Sequence, residues 1–132
     1  MTLSTDDIDE IQQLAAAYFQ LIDSAQGDRF AQLFTPDGVF EIVDLSTATG
    51  HEELAANAEM FTQFMPGGRH IVQNQWIEGD GDTATRRCYL SNVRVGERPE
   101  AIQTGRYVDD VVRTAEGWRF ARRTLTLDGP LV

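Results

Sequence analysis

Residues 103–127, QTGRYVDDVVRTAEGWRFARRTLTL, decide the fold class. Gln103 to Thr114 reads as a long strand, within which Gly105 to Asp109 alternates so that Tyr107 and Asp109 share a face. Ala115-Glu116-Gly117 breaks that run with a turn, and Trp118 to Leu127 resumes it. Upstream, Gly96-Glu97-Arg98-Pro99 separates this pair from Thr83 to Val95. Gly79-Asp80-Gly81-Asp82 in turn separates Thr83 to Val95 from the strand His70 to Glu78. Four long antiparallel strands therefore fill the second half of the chain.

The first half reads as helical. Ser4 or Thr5 caps a helix whose first turn carries Asp6, Asp7 and Asp9, matched to the positive end of the helix dipole. Ile8, Ile11, Leu14, Ala15, Tyr18, Leu21 and Ile22 give it one apolar face, and it is expected to stop near Gly27. A short helix over Asp28 to Phe34 is expected to end in a turn at Thr35-Pro36-Asp37-Gly38. Val39 to Val43 reads as a brief strand followed by a loop to Gly50. His51 to Met65 is helical and closed by Pro66-Gly67-Gly68. Helices followed by strands define an α+β domain, its helices covering one face of a curved antiparallel sheet. Residues 1–132 read as one domain.

Charge narrows the function. All 11 basic residues are arginine, which removes lysine Schiff-base chemistry and the lysine of a phosphate-binding loop. Residues 1–68 carry 12 acids against Arg29 alone, whereas residues 69–132 carry 9 acids and 10 arginines. An acidic half without a basic stripe argues against nucleic acid and against anionic membranes. The expected partners are a small hydrophobic molecule and further copies of the chain, as a dimer or trimer. Cys88 is the single cysteine, so neither an internal disulfide nor a multi-cysteine metal site is possible. The acidic N-terminus lacks a secretory pattern, and a cytoplasmic protein is expected.

Several side chains are candidates for chemistry. Strand alternation puts His70, Val72, Asn74 and Trp76 on one face, so His70 is placed for a pocket wall as a base poised near neutrality. Asp23 sits at the C-terminal end of the first helix, the wrong end of the dipole for a carboxylate, and local violations of this kind mark functional sites. Tyr18 lies near the centre of the apolar face, with a hydroxyl that needs a partner when buried. Tyr107 and Asp109 share a face of the third strand, and Cys88, Leu90 and Asn92 share one of the second. Asn92 offers both a donor and an acceptor to a bound oxygen. The spacing of these residues suggests no metal and no cofactor.

The run Tyr18 to Asp23, the segments Asp28–Leu33 and Phe34–Gly38, Gly68-Arg69-His70, Gly105 to Asp109 and Gly117 to Phe120 together resemble the SnoaL-like branch of the nuclear transport factor 2 superfamily. The resemblance implies a cone with a deep pocket between sheet and helices. Scytalone dehydratase, bile acid 7α-dehydratase and hexachlorocyclohexane dehydrochlorinase share an Asp on the first helix paired with a His on a pocket strand, and Asp23 and His70 match them. Tyr18 matches a first-helix tyrosine of the bile acid enzyme. Where the dehydratases carry a further acid or histidine on the next strand, this chain has Asn92. The implied activity is that of a cofactor-free lyase or isomerase on a small oxygenated molecule such as a steroid or polyketide. Its catalytic residues would be His70, Asp23 and Tyr18, with Asn92, Tyr107, Trp76 and Cys88 binding substrate. The alternatives are a non-catalytic binding or assembly module and a SnoaL-type polyketide cyclase.

Overall fold

The computed structural model describes residues 2–129. Helix α1 (Thr5–Asp23) starts at a reciprocal cap, in which the Asp7 N–H donates to Ser4 Oγ at 3.0 Å and the Ser4 N–H to Asp7 Oδ2 at 3.1 Å. It ends at Asp23, four residues before Gly27, because Ala25 turns into the left-handed region at φ 56°. Helix α2 is Gly27–Ala31. Only glycine fits at 27, since a Cβ there would lie 2.5 Å from the main-chain oxygen of Ala55 on α3 (Gly50–Phe64).

The sheet comprises β1 (Phe34–Ile42), β2 (Ser46–Thr49), β3 (Gly68–Asp80), β4 (Thr83–Arg94), β5 (Glu100–Thr114) and β6 (Gly117–Leu127), in the order β2-β1-β6-β5-β4-β3. Every neighbouring pair is antiparallel except β1 with β6. This is the α+β fold expected, with two amendments. The Pro36-Asp37-Gly38 segment is a bulge inside β1 rather than a turn. Phe34 pairs with Phe120 and Val39 with Arg122, so the sheet absorbs the extra residues. Pro36 is tolerated because β2 pairs only with Val39 to Ile42, leaving the proline at a free edge. Strand β2, Ser-Thr-Ala-Thr, was expected as loop; it has too few apolar residues to display a period.

Further single-residue bulges interrupt β3, β5 and β6, and each bends its strand. The resulting curve is filled by Ile11, Leu14 and Tyr18 of α1, Leu54 of α3, and Phe34, Phe40, Trp118 and Phe120 of the sheet. Inside the same core lies a buried charge cluster. Asp109 accepts from Arg123 Nε at 2.7 Å and Nη2 at 3.1 Å, and from Arg86 Nη1 at 2.9 Å. Burial opposes the charge on Arg123, yet the facing Asp109 carboxylate holds its pKa above the ordinary arginine value.

The outer sheet face exposes Ile71, Trp76, Tyr89 and Val108. Among the described residues no helix is long and apolar enough to cross a membrane.

Candidate active site

The end of α1 meets the start of β3, an edge strand, and there Asp23 and His70 come together. His70 Nδ1 lies 2.6 Å from Asp23 Oδ1, and the His70 main-chain N–H donates to Oδ2 at 3.1 Å. A carboxylate can only accept, so the ring proton sits on Nδ1 and the neutral ring keeps its lone pair on Nε2. The His70 side chain is 5% exposed and that of Asp23 18%. Phe61 and Phe19 flank the imidazole, with centroids at 4.5 and 5.6 Å, and fix its plane.

His70 forms part of the wall of a cavity of about 310 Å³ between sheet and α3. Phe40, Phe61, Phe64, Met60, Leu125 and Leu127 make most of the rest apolar. Asn92 and Tyr107 also line it. On the other side of the dyad is a more polar cavity of about 550 Å³, bordered by Asp23, Gln20, Ser24, Thr62 and Arg69. His70 and Met65 line both chambers. His70 is thus set between an apolar cavity and a more polar one.

The other expected site residues separate into two groups. Asn92, directly opposite His70 in the β3–β4 register, and Tyr107 line the apolar cavity as anticipated. Tyr18, Cys88 and Trp76 do not. Tyr18 is fully buried with its ring 4.1 Å from the Arg123 guanidinium, and burial pushes its pKa up to about 12. Cys88 lies beneath the wall, its Sγ accepting from Arg86 Nη1 at 3.3 Å, and burial raises its thiol pKa. Trp76 is 59% exposed on the opposite sheet face, under the Arg87 guanidinium. The cause is the extra residue between Gln73 and Trp76, where Asn74 adopts φ 59°. That insertion reverses the alternation which put His70 and Trp76 together. Beyond the insertion Ile77 packs against the core, and on β6 Leu125 and Leu127 line the apolar cavity.

Sequence reading missed the Arg86–Asp109–Arg123 cluster. Its signal was present: on three neighbouring strands, one charged residue shares a face with apolar neighbours. The second histidine, His51, engages the main-chain oxygen of Phe34 at 2.9 Å, away from the dyad. Among the described residues no three His, Cys, Asp or Glu side chains converge as metal ligands.

Residues 4–124 match the family described as the SnoaL-like domain, and the chain belongs to that family. An uncharacterised protein of Mycobacterium tuberculosis is 34% identical over 121 residues, covering 89% of this chain and 82% of that protein. A crystal structure of a protein like nuclear transport factor 2, with a cystatin-like fold, from Novosphingobium aromaticivorans superposes with TM-score 0.87. It is 30% identical and covers 95% of this chain and 84% of its own. A protein of unknown function from Nostoc punctiforme, also with a cystatin-like fold, superposes with TM-score 0.90 at 27% identity, covering 99% and 98% of the two chains.

Proposed function

We propose that this protein is a cofactor-free lyase or isomerase that removes a proton from carbon in a small, largely apolar, oxygenated molecule. The observation that carries the reading is the 2.6 Å contact between His70 and Asp23 in the wall of an apolar cavity. Nε2 of His70 is the base. Asp23 keeps the proton on Nδ1 and stabilises the imidazolium that forms. The low polarity of the chamber strengthens that electrostatic support, since little water competes.

A binding or assembly module would fill its cone with its own side chains, and a cyclase driven by a lone carboxylate would turn His70 away. The open cavity and the paired His70 favour proton transfer over both. The test is a screen of ring-containing ketones and alcohols for turnover, run in parallel on the native protein and His70→Ala. Removing a general base is expected to lower the rate on the order of 10²–10⁴-fold. A compound turned over equally by both proteins would end this reading.

A further inference from the structure

Three large apolar side chains that burial would favour stand in solvent instead. Leu45, Met60 and Phe64 are 54% to 65% exposed, and all three belong to the wall of the apolar cavity. Met60 and Phe64 lie one turn apart on α3 and share a face. Leu45 follows the β1–β2 turn, fixed by its N–H donating to the Ile42 carbonyl at 2.9 Å. Together they form an apolar lip at the mouth, and exposed apolar groups continuous with a cavity mark a surface that a ligand covers. Asp44 and Glu59, both exposed, adjoin the lip and repel an anionic bilayer. A second copy of the chain docked on the outer sheet face would leave the lip uncovered.

The inner end is polar. His70, Asn92 and Gln103 are register partners across β3, β4 and β5, and all three line the cavity. The His70 main-chain N–H points away to Asp23, so His70 and Asn92 form the close kind of antiparallel pair, with Cα atoms about 4.5 Å apart. Gln103 is engaged with the main chain of Gly129 and Thr104. Asn92 is 5% exposed, and its Oδ1 is buried without a hydrogen-bond partner. No arginine lines the cavity, so nothing there neutralises a carboxylate or phosphate head. A hydroxyl fits these partners. Its proton goes to His70 Nε2 or to Asn92 Oδ1, and its lone pairs accept from the amide N–H.

From this arrangement we infer that the ligand is a neutral, elongated alcohol or phenol that enters hydroxyl first, and that Leu45, Met60 and Phe64 hold the apolar tail left outside the cavity. The inference takes this cavity as the substrate's site, as in the reading above, and concerns binding alone. The unbranched Met60 thioether adapts to tails of different shape.

4-Alkylphenols are the probes, with affinities read by calorimetry below their solubility limits. A fully buried methylene raises affinity about fourfold, so 4-hexylphenol is expected to bind the native protein at least tenfold tighter than 4-ethylphenol. In the double variant Met60→Ser/Phe64→Ser, whose changes lie on the exposed face of α3, that ratio should fall at least threefold. 4-Ethylphenol, held inside, should bind the double variant within twofold of native. 4-Hexylanisole, which has no donor, should bind at least tenfold more weakly than 4-hexylphenol, and Asn92→Leu should shrink that difference at least threefold. An unchanged chain-length ratio in the double variant would overturn the lip as the tail site. Equal binding of anisole and phenol would overturn the hydroxyl-first placement, and an undiminished difference in Asn92→Leu would remove Asn92 from the hydroxyl's partners. No binding of either alkylphenol by the native protein would overturn the ligand class. Each result is read without turnover, so it stands or falls separately from the comparison of native protein with His70→Ala.

Discussion

The carboxylate of Asp23 holds His70 at two points, taking the main-chain N–H on one oxygen and the ring Nδ1–H on the other. One side chain thereby fixes both the position of the strand and the tautomer of the imidazole. Asp23→Asn retains an oxygen for one of these bonds but presents an amide NH2, itself a donor, to the other, so ring orientation is lost. Turnover of a substrate found with the native protein is expected to fall on the order of 10²–10⁴-fold, with its binding largely kept. A rate within a factor of three of native would show that His70 needs no orienting partner.

Among the described residues Asp109 is the only anion between Arg86 and Arg123, and all three are buried. Asp109→Asn leaves two desolvated cations facing each other. Breaking a buried pair in this way costs ~3–5 kcal/mol, and urea unfolding of the variant should show a loss of that size. A loss of less than 1 kcal/mol would indicate that water already reaches the cluster.

Part of the acid sensitivity is expected at the N-terminus of α1. Bonding to the Ser4 main-chain N–H, aided by Trp118 and Arg113, lowers the Asp7 carboxyl from 3.8 to about 2. A folded-state pKa below the unfolded one means stability is present above the unfolded value and lost as pH falls through the folded one. Thermal stability of the native protein is expected to drop between pH 4 and pH 2, with a smaller drop in Asp7→Asn. Parallel pH curves for the two would assign acid unfolding to other groups.

The outer sheet face carries Trp76 at 59% and Tyr89 at 62% exposure, beside Ile71 and Val108. Large apolar side chains grouped on one face are the signature of an association surface. A homodimer through this face is expected in sedimentation at micromolar concentration, and Tyr89→Glu should convert it to monomer. A native protein that sediments only as monomer would refute this.

Much of the site was legible in the sequence because two independent periods converge on it. Helical spacing set Asp23 beside the face that buries Tyr18 and Phe19, and a strand starting at His70 set that residue where a pocket wall would begin. Asn92 and Tyr107 followed from uninterrupted alternation in β4 and central β5. Trp76 did not, since one left-handed residue at Asn74 reverses every side chain beyond it and nothing in local composition marks the place. Tyr18 and Cys88 lie on the correct faces but too deep. Depth depends on how far the sheet curls, which no single strand encodes. The helix end was misjudged for a similar reason. Ala25, rather than the expected glycine, supplies the left-handed turn, held by Ser24 Oγ donating to the Gln20 carbonyl at 2.8 Å.

The insertion at Asn74 divides β3 into two segments that answer to different constraints. Before it, His70 lines the apolar cavity and Val72 packs against the core; after it, Ile77 faces the buried end where Arg86 sits. The chamber end of β3 is anchored by Asp23 at His70, while the deep end is locked to Arg86 through Gln75. Because the bulge between them reverses the strand's faces, each anchor sets the direction of its own half and neither has to strain the other.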